Sequence, residues 1–139
     1  MRVEPVPTPS AKAVGPYSPA VRAGDWIVVS GQIGIDPATG TLVVGGVEAQ
    51  ARQALANLTA ILGDCGCDWE QVAKVTVFVA AESQQSMAQQ SMPQINAVYS
   101  DVVGEHRPAR STVGVAWLPM GAAFEIEAWV YKPQIRPEA

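Results

Sequence analysis

Between residues 47 and 65 the apolar side chains recur at three- and four-residue steps, a period different from that of the β-rich runs on either side. Ala51, Ala54, Leu55, Leu58, Ile61, Leu62 and Cys65 therefore share one face of a helix, with Gly63 and Gly66 marking its fraying end. Upstream, Ala20-Val21-Arg22-Ala23 and Trp26-Ile27-Val28-Val29-Ser30 flank Gly24-Asp25 and read as a hairpin. Downstream, Val75, Val77 and Val79 lie on one side of a strand over 72–80, with Thr76 and Phe78 on the other. Both faces of that strand therefore look at least partly covered, and a one-sided helix has to bury its stripe against a sheet.

A second helix is predicted over 91–103. Its buried stripe is Met92, Ile95, Val98, Tyr99, Val102 and Val103, and Gly104 ends it. Ser91 and Gln94 have the spacing of a capping box, and Pro93 suits a first turn. Just before, Gln84-Gln85-Ser86-Met87 is repeated as Gln89-Gln90-Ser91-Met92. This short tandem duplication either lengthens the connection or extends the helix backwards by two turns. Two more strands follow, over 111–116 and 124–131. On the last, Phe124, Ile126, Ala128 and Val130 face one way, and Glu125, Glu127, Trp129 and Tyr131 the other.

Asp36-Pro37-Ala38-Thr39-Gly40 is turn chemistry. Pro5, Pro7 and Pro9 make residues 1–10 a loose tail or, at best, an edge strand. The order of elements predicts an α+β fold, a mixed sheet with two helices on one face, in a single domain spanning 1–139. The other face of that sheet carries large apolar groups that 139 residues leave uncovered, which points to self-association.

With 48% apolar residues the chain can bury a core without disulfides or a metal. A net charge of −4 gives no electrostatic footprint for a phosphate backbone and argues against a nucleic-acid partner. Cys65 and Cys67 do not have the C-x-x-C spacing, and His106 is the single histidine, so the usual transition-metal ligands are lacking. Two free thiols suit a reducing cytosol. The N-terminal residues lack the apolar core of a signal peptide, and no apolar run reaches the ~20 residues that span a bilayer. A soluble cytoplasmic protein with no membrane partner is expected.

Several residues admit both a bland and a chemical role. Glu125 and Glu127 belong to a solvated outer face, or one of them is a general base beside the apolar run. Arg110 is either a solvated or paired cation at the mouth of a strand, or a bidentate grip on a substrate carboxylate. Arg107 competes for that grip but reads as exposed loop. Tyr17 packs or offers its hydroxyl to a ligand, and Gly31 would let a ligand approach the main chain. No Ser-His-Asp set can be built around His106, read as a loop residue, and no phosphate-binding glycine loop occurs.

Seven segments carry a resemblance over about residues 11–131. They are Gly15-Pro16-Tyr17-Ser18, Ile27-Val28-Val29-Ser30-Gly31-Gln32-Ile33, Asp36-Pro37-Ala38-Thr39-Gly40, Gln53-Ala54-Leu55-Ala56-Asn57-Leu58, Val75-Thr76-Val77-Phe78-Val79, Pro108-Ala109-Arg110-Ser111 and Glu125-Ile126-Glu127-Ala128. In this order and spacing they resemble the Rid (reactive intermediate deaminase) family, also called YjgF or L-PSP proteins. The resemblance implies a chorismate-mutase-like homotrimer with active sites in the clefts between subunits, its central core formed by the uncovered sheet face. It also implies cofactor-free hydrolysis of 2-imino acids of the 2-iminobutanoate and 2-iminopropanoate type, or their enamine tautomers, to 2-keto acids and ammonia.

Carried over, Arg110 holds the substrate carboxylate, and Glu125 positions or activates the attacking water. Tyr17 and Ser30 line the pocket, with backbone contacts from Gly31 and Thr112. Thr112 stands where many deaminating members have cysteine, and Arg107 stands where an aromatic residue often precedes Pro-Ala-Arg. The Gln-Ser-Met stretch is longer than the usual connection. An endoribonuclease or translation-inhibitor activity, a label some relatives carry, and a non-catalytic carboxylate-binding role are the alternatives.

Overall fold

The computed structural model describes residues 2–135, so residue 1 and residues 136–139 of the expected 1–139 domain lie outside it. Six strands form the main sheet: β1 (Glu4–Pro5), β2 (Ala20–Ala23), β3 (Trp26–Ile33), β6 (Val72–Val79), β7 (Ala109–Gly114) and β8 (Phe124–Tyr131). Their spatial order is β1-β2-β3-β8-β6-β7. Every pairing is antiparallel except β6 with β7, which is parallel. A small separate hairpin joins β4 (Ile35–Asp36) to β5 (Thr41–Leu42). The mixed sheet expected from periodicity is present.

Helices α1 (Gly46–Asp64) and α3 (Met92–Val103) pack against each other, and α1 also lies against β3 and β8. The α1 stripe of Ala51, Ala54, Leu55, Leu58, Ile61 and Leu62 is buried, as its spacing predicts. It meets Ile27 and Val29 of β3, Val75, Val77 and Val79 of β6, and Phe124, Ile126, Ala128 and Val130 of β8 in one core cluster. On α3 the buried positions are Ile95, Val98, Tyr99 and Val103, while Met92 and Val102 of the expected stripe are half-buried.

Of residues 1–10, Glu4–Pro5 form an edge strand, the second of the two expectations, with Glu4 opposite Arg22 and Pro5 opposite Val21. An edge tolerates Pro5 because one side of the strand needs no donor. The turn over 36–40 closes the β4–β5 hairpin, with Gly40 at φ 73°.

Two expectations are corrected. The capping box at Ser91 does not form: Ser91 has helical angles, φ −69° and ψ −47°, and makes no side-chain cap. The helical run begins earlier, at α2 (Gln84–Ser86), where Ser83 in extended conformation accepts a hydrogen bond from the Ser86 amide. A π-turn over Met87–Ser91 then leads directly into α3. The wider turn sits just where Pro93 removes a backbone donor and its ring would crowd the preceding carbonyls. Strand β7 also starts two residues earlier than periodicity suggests, so Arg110 lies within the strand, opposite Val75, rather than at its mouth.

Leu58 is wholly buried between α1 and the sheet. Leu58→Ala should lower the unfolding free energy by about 2–5 kcal/mol, read from the midpoint of urea unfolding with an unchanged slope.

Candidate functional site

Glu125 lies on β8 between Phe124 and Ile126, both buried toward the helices, so alternation turns its side chain to the open face. Its neighbours across the ladders are Ile33 on β3 and Phe78 on β6. Beside it the β3–β8 register shifts between Val29 and Gln32, so that Ser30 and Gly31 together stand opposite the single Glu127 in a bulge. A Cβ on Gly31 would stand 2.7 Å from Glu125 Cδ, so the glycine makes room for the carboxyl group. Burial raises the Glu125 pKa above the usual carboxylate range, and the nearby Glu127 raises it further.

The bulge is tied to the loop before β2. Ser30 Oγ donates to the Ser18 carbonyl at 2.6 Å, and the Ser30 amide donates to the Pro19 carbonyl. Tyr17 stands on that loop with about half its surface exposed, its amide donating to the Gly15 carbonyl. The structure thus gathers Tyr17, Ser30, Gly31 and Glu125 into one region.

Arg110 belongs to a different region. Its ladder partner Val75 is buried under the helices, and the arginine faces the same way. The guanidinium carbon lies 4.9 Å from the centre of the Tyr99 ring, a cation–π distance, and Nη2 donates to Asn96 Oδ1 at 2.8 Å. Trp69 supports Tyr99 edge-on at 6.4 Å, and Trp69 Nε1 donates to Thr59 Oγ1. Thr112, two residues on and opposite the buried Val77, shares the Arg110 side of the strand. Arg107 is exposed, as expected for a loop residue, and donates to the Gly104 and His106 carbonyls. His106 Nε2 contacts the Val72 carbonyl at 3.0 Å.

Within one protomer the two groups stay apart. Glu125 occupies the open face of a central strand, Arg110 the helix side of an edge strand, and β6 runs between them. Sequence reasoning placed Tyr99 only in a buried stripe and did not single out Asn96. Their spacing of three residues on α3 was the available signal, since it puts both on one helix face. Among the described residues, no group of three or more His, Cys, Asp or Glu side chains could hold a metal ion. No helix among them is long and apolar enough to cross a membrane.

The family model described as Endoribonuclease L-PSP matches residues 8–132. The chain belongs to the Rid/YjgF/L-PSP family. A Mus musculus relative named 2-iminobutanoate/2-iminopropanoate deaminase is 42% identical over 121 residues, which cover 87% of this chain and 84% of that one. A Thermotoga maritima crystal structure superposes with a TM-score of 0.81 at 44% identity, covering 96% of this chain and 100% of the other. A Yersinia pestis structure, described as a protein of unknown function of the conserved Rid family, gives a TM-score of 0.81 at 37% identity and covers 94% and 99%. The Gln-Ser-Met repeat is folded here as helix and π-turn.

The Tyr99 hydroxyl is buried with no hydrogen-bond partner among the described residues, and burial raises its pKa. Removing such a group costs little, because no bond is lost and a desolvated oxygen is relieved. Tyr99→Phe should therefore keep or slightly raise the melting temperature, measured by calorimetry. A clear fall would mean the hydroxyl is bonded in solution.

Proposed function

We propose that this chain is a cofactor-free deaminase that hydrolyses 2-imino acids, or their enamine tautomers, to 2-keto acids and ammonia. The observation that carries the reading is the half-buried Glu125 carboxyl seated against Gly31, a poised base in a bulge that accepts no side chain. Relatives named for this reaction, such as the Mus musculus protein, add weight.

Arg110, pre-set by Asn96 and the Tyr99 ring, holds the substrate carboxylate through its planar fork. Glu125 takes a proton from water as the oxygen adds to the imine carbon, opening the C=N double bond. Glu125 returns that proton to nitrogen, ammonia departs, and the hydroxyl proton passes to the freed carboxylate as the C=O of the keto acid forms. A protonated imine is already electrophilic, so orientation, one base and a charge clamp suffice. Tyr17 and Ser30 line the pocket, and backbone groups of Gly31 and Thr112 contact the substrate.

Because Arg110 and Glu125 lie apart in one protomer, the reading includes a chorismate-mutase-like homotrimer in which different subunits contribute them to a shared cleft. The open sheet face supports it, since Trp26, Trp129 and Tyr131 stack edge-on there at 6.4 and 5.2 Å while remaining partly exposed. The free thiols Cys65 and Cys67 suit a cytoplasmic setting. Against RNA cleavage stand the net charge of −4 and a lone His106 already engaged at the Val72 carbonyl.

The direct test traps imines formed in situ by an amino-acid oxidase with semicarbazide. The chain should lower semicarbazone formation from 2-iminopropanoate and 2-iminobutanoate, and Arg110→Ala should lose about 100-fold or more in kcat/KM. Retained keto-acid binding with no turnover would instead favour a carboxylate-binding role. The pH profile carries a second expectation. A base must be ionised, so kcat/KM should rise with pH through an acid limb lying above 4.5, the ordinary carboxyl value from which Glu125 is raised. Glu125→Gln should abolish that limb together with most of the activity.

A further inference from the structure

Of the segment Gln53-Ala54-Leu55-Ala56-Asn57-Leu58, the core uses Ala54, Leu55 and Leu58. Gln53 and Asn57 have no part in that stripe, yet both are half-buried. With Gln50 they follow steps of three and four residues, so one face of α1 carries three carboxamides in a row. What this row touches is main chain. Asn57 Nδ2 has two hydrogens, and it donates to the carbonyls of Ile33 at 3.1 Å and Ile35 at 2.8 Å. Its Oδ1 accepts from Gln53 Nε2 at 2.9 Å, which keeps both donors turned to the carbonyls. Gln50 Oε1 accepts from the Ala123 amide at 2.8 Å. Helix and chain are in direct contact here, because a Cβ on Gly34 would stand 2.7 Å from the Gln50 carbonyl oxygen.

The points so held surround Glu125. Ile33 is its ladder partner on β3, and the chain leaves the main sheet there to begin β4 at Ile35. Ala123 stands just before β8, two residues ahead of Glu125. Gly31, against which the carboxyl group is seated, lies two residues before Ile33. On its other side the bulge is tied by Ser30 to the Ser18 and Pro19 carbonyls. It is thus suspended between two anchors, one on the loop before β2 and one on the helix. A bulge interrupts the ladder, so its shape depends on such anchors more than a regular strand does.

Resting on the deaminase reading, we infer that Asn57, oriented by Gln53, is a positioning residue for Glu125. It fixes the exit of β3 so that the Gly31 bulge stays closed against the carboxyl group, while Gln50 fixes the entrance to β8. Its action passes through the backbone, since α1 lies on one side of the sheet and Glu125 faces the other.

The experiment compares the full chain with Asn57→Ala and Gln53→Ala, using 2-iminobutanoate formed in situ. It reads kcat and KM, the acid limb of the kcat/KM profile, and the affinity for 2-oxobutanoate, which reports on Arg110. Asn57→Ala should lose about tenfold or more in kcat, with KM and keto-acid affinity little changed. Its acid limb should move down toward 4.5, because a slack bulge admits water to Glu125 and favours the ionised form. The charge of Glu127, which also acts on Glu125, is the same in every variant. Gln53→Ala keeps both donors of Asn57 and should show a smaller loss of the same kind. Its half-exposed position makes it the deciding variant where Asn57→Ala does not fold. An acid limb unmoved in both variants, whether kcat holds or falls with the folded fraction, overturns the inference and leaves the deaminase reading standing. Keto-acid binding weakened as much as kcat/KM also overturns it, since Asn57 would then support the cleft as a whole. No turnover by the natural protein overturns both.

Discussion

The two-residue alternation of the strands against a single helical layer governs the rest of this structure. Ile27, Val29, Val75, Val77, Phe124, Ile126, Ala128 and Val130 are all essentially removed from water beneath α1 and α3. Sliding β8 by one residue would send Glu125 and Glu127 into that layer and bring Ile126 and Ala128 out, so the register is fixed by the core. Charged side chains then sit only on the open face or at an edge beside the helices, Glu125 in the first place and Arg110 in the second. Their separation follows from the pattern that makes the sheet stable.

The same pattern explains what could be read in advance. Strand β8 is central, bonded on both sides and buried on one face, so its alternation is complete and its limits, Phe124–Tyr131, agree with periodicity. Strand β7 is an edge, and its sequence Ala-Arg-Ser-Thr-Val-Gly buries none of its residues fully, so hydrophobic pattern does not mark where it begins. The misplaced capping box has another cause. Ser83, Ser86 and Ser91 sit in similar local surroundings, and only the continuous helical path through the repeat selects Ser83 as the cap. The two-residue strands β4 and β5 are too short to show any period.

The candidate site was legible in its charged members and not in their supports. Glu125 shares a strand face with Trp129, and Arg110 stands beside a proline turn; both are visible in one dimension. The Gly31 contact with Glu125 spans 94 positions of sequence and depends on a bulge that displaces Ser30 and Gly31 from the ladder. Asn96 and Tyr99 reach Arg110 only because α3 folds back over β7, as a parallel pair of strands requires of its crossover. Bulges and crossover contacts leave no periodic trace, so this supporting layer comes from the three-dimensional structure alone.

Desolvation links these features. Glu125 is only half-buried, yet burial is already the leading cause of its raised pKa. Covering the open face, where Trp26, Trp129 and Tyr131 remain partly exposed, would withdraw more water and push the carboxyl further up. A guanidinium delivered to the same cleft from another copy would act the other way, favouring the ionised form. In the proposed homotrimer the proton affinity of Glu125 would be set by the balance of the two. A cation–π seat on Tyr99 fits that task, because it fixes the position of Arg110 while leaving part of its donor fork free for a carboxylate.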